Sequence, residues 1–258
     1  MFGQFEAGRS ASNEMLAAAL PSAPLPYLEG ALANPALTPR HVLLLLKNPH
    51  VVVRLIQHIT RNRDWMRAYE VRAAIVLHPK TPRAVGMNLV TLLWWRDLAR
   101  VVDRPPLAPP LRRTAERLLG TRLQEMTLGE KISLARIASR GVINSLRRDD
   151  NPMVIRALLH NPRLVEEDVI VIASGPRTPR SVLQVLSEDS RWSARPAVRR
   201  AIARHPGTPA QVALGLVRHM TDRDLREVLR GPHVPGLIRV GIQRLLESRR
   251  ASARRKAD

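Results

Sequence analysis

The sequence predicts an all-α fold, an α-solenoid of short stacked helical repeats built from an internal duplication. Three observations predict it. The stretch VRAAIVLHPKTPRAVGMNLV (71–90) returns 127 residues later as VRRAIARHPGTPAQVALGLV (198–217), with 11 of 20 positions identical. Prolines recur as punctuation between segments long enough for only one or two short helices. No segment alternates apolar and polar residues for long enough to argue for a sheet.

The repetition extends beyond that stretch. Without a gap, 71–119 aligns on 198–246 with 20 of 49 positions identical, and ALANPALTPRHVLLLLKNP (31–49) lies on LLHNPRLVEEDVIVIASGP (158–176) at the same offset. Four proline pairs coincide, Pro35/Pro162, Pro49/Pro176, Pro79/Pro206 and Pro105/Pro232, and Trp65 lands on Trp192. The expected organisation is a single continuous solenoid over 1–258. It comprises a first repeat block (1–120), a helical connector (121–150), a second block (151–247) and a basic C-terminal tail (248–258). The stretch before the second copy precedes it as 1–21 precedes the first, although that part of the alignment is weak.

Each element follows from the punctuation. The residue before the proline is Asn34, Asn48, His78, Asn161, Gly175, His205 or Gly231, with Arg104 departing from the pattern. These types tolerate the left-handed conformation that ends a helix, and proline cannot continue one. Thr-Pro then follows at Thr38, Thr81, Thr178 and Thr208, where threonine is expected to cap the next helix and proline to sit in its first turn. Segments such as VALGLV (212–217) space their apolar residues as a helix does. Helices this short are marginal alone, so their apolar faces must be buried by neighbouring repeats.

Composition limits the chemistry. Hydrophobic residues make up 45% but aromatics only 3%, so the core must be aliphatic. The longest apolar runs, VLLLL and VIVIA, fall far short of a membrane span, and the N-terminus lacks the pattern of a secretory signal. A cytoplasmic location is the expectation. With no Cys there is neither a thiolate metal site nor a Cys nucleophile, and neither a P-loop, a dinucleotide fingerprint nor HExxH occurs. No cofactor or metal is expected. Lys and Arg number 42 against 22 Asp and Glu, 38 of them Arg, and both halves of the chain are positive. Such a field attracts acidic partners: nucleic acid, an acidic protein or anionic lipid.

VRRAIARHPGTPAQVALGLV resembles the leucine-rich repeat variant, a HEAT-like bacterial repeat in which short helices alternate around Asn-Pro or His-Pro turns. The resemblance covers most of residues 24–246 and implies architecture rather than activity. Thr38 and Thr178 face Val165 and Val51 at their counterpart positions, so individual repeats have drifted. Some members of that family hold an iron–sulfur cluster on cysteines, which this chain lacks.

The candidate site residues are arginines. Arg40, Arg83 and Arg180 follow Thr-Pro, where a cation opposes the helix macrodipole, so helix stability does not ask for it. Beside exposed helix N-termini such a row would bind phosphate with bidentate donors. Arg72/Arg199 and Arg96/Arg223 repeat between the copies, and Arg200 and Arg204 belong to the dense cluster RWSARPAVRRAIAR (191–204). Repetition alone also fits salt bridges or stems that cover the core. The expected function is a non-enzymatic module gripping an acidic macromolecule, foremost the phosphate backbone of DNA or RNA. The alternatives are a scaffold for an acidic protein or peptide and, more remotely, peripheral attachment to anionic lipid. A further alternative rests on Trp94, Trp95 and Asp97, since alkylpurine DNA glycosylases of HEAT-like build also use Trp and Asp. However, Asp97 recurs as Asp224, whereas Trp94 and Trp95 become Thr221 and Asp222; this fits a helix-start residue more simply than a catalytic one. His78, His160 and His205 are expected as helix-end residues, and Glu166, Glu167 and Asp168 as the acidic first turn of a helix.

Overall fold

The computed structural model describes residues 2–231 and 234–254; Pro232, a member of the last proline pair, and the end of the tail (255–258) lie outside the described residues. Among the described residues the chain is all-α, with twenty helices and no strand. It divides into two compact units, Met1–Thr121 and Arg122–Asp258. The first unit carries α1 (Phe2–Ser10), α2 (Asn13–Ala19), α3 (Leu25–Leu32), α4 (Pro39–Leu45), α5 (Val53–Arg61), α6 (Arg63–Arg67), α7 (Tyr69–Leu77), α8 (Arg83–Val90), α9 (Trp95–Val102) and α10 (Pro109–Arg122), whose last residue crosses the boundary. The second carries α11 (Leu128–Ile137), α12 (Arg140–Leu146), α13 (Pro152–Leu159), α14 (Glu166–Ser174), α15 (Arg180–Glu188), α16 (Ser190–Ser193), α17 (Pro196–Arg204), α18 (Ala210–Arg218), α19 (Asp222–Leu229) and α20 (Gly236–Arg254).

Shifted by 127 residues, α2, α3, α5, α7 and α9 coincide end for end with α12, α13, α15, α17 and α19. The other five pairs start within one residue of the same register. Residues 121–150 therefore hold α11 and α12 at the positions of α1 and α2, where the sequence match is weakest. The tail is helical through Arg254 as the end of α20.

The turns that produce this spacing differ from the expectation. No residue, glycine included, has a positive φ among the described residues. A residue before proline is pushed out of helical space by the proline ring, and His78, Gly175 and His205 accordingly leave their helices extended, at ψ 129°, 125° and 127°. Each then opens a β-turn with proline second, closed by Thr81 N→His78 O, Thr178 N→Gly175 O and Thr208 N→His205 O at 3.0–3.1 Å.

Asparagine suits this turn for another reason. Buried Asn34 accepts from the Ala36 amide (2.9 Å), while its Nδ2 donates to Gly8 O (3.0 Å) and Ala11 O (2.9 Å) at the end of α1. Asn48 does the same with His50 N, Leu20 O and Ala23 O, and Asn161 with Arg163 N, Ala135 O and Ala138 O. His205 substitutes with its two ring nitrogens: Nδ1 accepts from Gly207 N at 3.0 Å and Nε2 donates to Gly175 O at 2.8 Å. One side chain thus forms the turn and ties it to carbonyls 23 to 30 residues earlier.

The threonines also depart from the expected role. Only Thr38 caps the following helix, in a box with His41. Thr81, Thr178 and Thr208 instead donate backwards to Ile75 O, Ile172 O and Ile202 O, at 2.5, 2.7 and 2.6 Å. The proline after each occupies the N-cap position itself, so the hydroxyl serves the orphan carbonyls of the preceding helix.

The core is aliphatic. In the first unit it runs from Ala11 and Leu16 through Leu28, Val42 and Ile56 to Ile75, and in the second one cluster joins Val217, Leu225, Val228, Ile238 and Ile242. Trp65 and Trp192 are buried within their units, each satisfying its indole N–H on a backbone carbonyl, Leu37 O and Leu159 O, at 3.1 Å. Helices α1 and α3 approach closely through Gly8 and Gly30; a Cβ on Gly30 would sit 1.9 Å from Phe5 O.

Candidate anion-binding surface

Arg83 and Arg180 are the first residues of α8 and α15, and Arg40 is the second of α4. All three are exposed and have no hydrogen-bond or ion-pair partner among the described residues. The expected row is divided, with Arg40 and Arg83 in the first unit and Arg180 in the second. Arg223, in the first turn of α19, is likewise exposed and unpaired among the described residues. Its counterpart Arg96 is exposed too and lies over the Trp95 ring, 5.3 Å from the centroid.

The remaining candidates serve the chain itself. Arg72 donates to Met66 O (2.9 Å) and Arg67 O (3.3 Å) at the end of α6. Arg199 donates to the corresponding carbonyls, Ser193 O (3.0 Å) and Ala194 O (3.2 Å), and also to His219 O. Both are half-buried clamps on the end of a one-turn helix. Arg200 pairs with buried Asp224 and reaches Glu227 at 3.5 Å; Arg204 donates to Glu227 O at 2.5 Å and lies 3.4 Å from its carboxylate.

The Trp94–Asp97 segment forms a closed hydrogen-bonded corner. Tyr69, to which no sequence motif points, donates its hydroxyl to Asp97 Oδ2 at 2.6 Å and accepts the Trp94 amide at 3.0 Å. Burial, reinforced by the Asp97 carboxylate, pushes the Tyr69 hydroxyl up to about 12, so it remains a donor. The exposed Trp94 ring stacks on Tyr69 at 4.0 Å, and Arg100 holds the other Asp97 oxygen at 2.9 Å. At the corresponding place in the second unit, Thr221 caps α19 directly and donates to Asp224 at 2.7 Å. The Thr221 hydroxyl, opposed by burial and aided by Arg200, holds the Asp224 carboxyl below the usual range.

Of the acidic first turn of α14, Asp168 is buried. It accepts from Arg140 at 2.5 Å, Arg147 at 3.2 Å and Val165 N at 3.1 Å. Burial alone would raise its carboxyl, but these donors outweigh it and leave the pKa lowered. His78, His160 and His205 all stand at helix ends. No group of three or more acidic or histidine side chains placed to hold a metal occurs among the described residues.

The second unit also contains a cavity of about 640 Å³ beside α14, α17 and α19, its walls mostly apolar, with Arg200, Arg204 and Glu227 in the lining. No helix among the described residues is long and apolar enough to cross a membrane. Compared with family models, curated proteins and solved structures, the chain matches none.

Proposed function

We propose that this chain is a non-enzymatic binding module that grips the phosphate backbone of nucleic acid through exposed arginines. In this reading the two ten-helix sets are copies of one ancestral α-solenoid of the leucine-rich repeat variant or HEAT-like kind. The observation that carries it is that Arg40, Arg83 and Arg180 open helices where their charge opposes the macrodipole, yet stand exposed and unpaired among the described residues. A guanidinium without an internal partner retains its full capacity for a bidentate phosphate contact. The surplus of 42 basic over 22 acidic residues adds long-range attraction. With 3% aromatic residues, contacts to backbone rather than stacked bases are favoured.

The test is affinity for a short DNA or RNA duplex of arbitrary sequence against salt. Binding is expected to weaken steeply as salt rises, alike for unrelated sequences. Replacing Arg40, Arg83 and Arg180 together with Ala is expected to reduce the salt slope by up to about 3, near 0.9 for each phosphate left without its arginine. Indifference to both DNA and RNA at low salt rejects the proposal.

A further inference from the structure

The cavity beside α14, α17 and α19 carries an inference independent of the exposed arginines. Its size falls within the range of small-molecule sites, and its lining is mostly apolar with a few polar groups, as such sites require. The arginines beside it are unusual for their position. One register earlier, on α7, the places of Arg200 and Arg204 are taken by Ala73 and Leu77, both buried, so a helix at this place in the fold packs without charge. Half-burying two guanidiniums costs desolvation that the fold does not demand.

Asp224 accounts for Arg200, which pairs with it closely. Arg204 is only partly served: one terminal nitrogen donates to Glu227 O and, at 3.4 Å, to the Glu227 carboxylate, while its Nε is buried without an acceptor among the described residues. Glu227 also lies 3.5 Å from Arg200, is itself half exposed, and replaces an arginine, Arg100, one register earlier. A half-exposed carboxylate 3.4–3.5 Å from two guanidiniums at the edge of an apolar cavity occupies the place an external carboxylate would take.

We propose that this cavity binds a small apolar carboxylate, its hydrocarbon body among Ile170, Ala197 and Val234 and its carboxylate between Arg200 and Arg204 in place of Glu227. Charge complementarity selects the acid, and the cavity walls select the apolar body.

Calorimetric titration of the full chain with decanoate, 1-decanol and decylammonium tests this. Decanoate is expected to bind saturably at one site, with decanol at least about tenfold weaker because it forgoes the charge-assisted bonds, and decylammonium without a saturable signal. Glu227→Gln removes the internal competitor and is expected to tighten decanoate severalfold. Arg204→Leu and Ala197→Glu each install the residue found one register earlier, which the fold accepts there. The first is expected to weaken decanoate at least about tenfold, and the second, by placing a carboxylate at the lining, to block it. Equal binding of decanol and decanoate, wild-type affinity in a folded Arg204→Leu or Ala197→Glu chain, or heats that never saturate would each overturn the assignment.

Discussion

Asn161 shows how much one side chain decides. Asn161 is fully buried; its amide donates to two carbonyls at the end of α11 and its oxygen receives the Arg163 amide. Asn161→Ala leaves three backbone groups without partners and is expected to cost about 3 kcal/mol. The check is a lower midpoint of urea unfolding at unchanged slope. Asn161→His should recover part of that loss, because His205 fills the same role with Nδ1 and Nε2. The residue type was visible in the sequence, but its purpose was not. Asparagine before proline invited a left-handed reading, whereas the proline forces extended backbone and the amide works across the turn.

Between elements, the decisive contact is the approach of α1 to α3. Gly8 and Gly30 let the helices meet backbone to backbone, leaving no room for a methyl group at Gly30. Gly30→Ala is expected to separate α1 from α3 and destabilise the first unit by about 1–3 kcal/mol, with faster amide exchange along α1. Gly129, near the start of α11, has open space around its Cβ direction, so Gly129→Ala should be neutral or slightly stabilising in the same assay. Two glycines in a helical stretch signal close packing only when the partner helix is known. The helix boundaries themselves were far more legible, because proline and its neighbours act locally.

For the whole molecule, two lowered carboxylates and one lowered histidine set the acid response. Burial, with Lys80 and Arg104 nearby, lowers the His78 pKa, so the folded chain resists a proton that the unfolded chain takes up near its ordinary 6.5. Stability is therefore expected to begin falling as pH drops below about 6.5. Asp168 and Asp224 have lowered pKa values, so their contribution is present above the unfolded value of 3.8 and lost as pH falls through their folded values. Denaturant unfolding from pH 7 to pH 2 should show the histidine window and, below pH 3.8, the carboxylate loss. His78→Asn, which keeps a turn-forming side chain, should flatten only the first. The charge surplus was countable from composition. That Arg72, Arg199, Arg200 and Arg204 are engaged internally was not, because their partners sit on other turns of the chain.

Local sequence rules suffice for the helical class, the 127-residue register and the proline-marked helix ends. These depend on short-range rules: periodicity, the steric reach of a proline ring and the repetition of local words. Tertiary structure decided which arginines face solvent alone and which clamp a carbonyl or carboxylate, and it placed Tyr69 beneath Trp94 and an apolar cavity beside Arg204. A guanidinium's state depends on oxygen atoms that folding brings within hydrogen-bond reach, from 5 or 6 residues away for Arg72 to 24 for Arg200, and no local pattern records that distance.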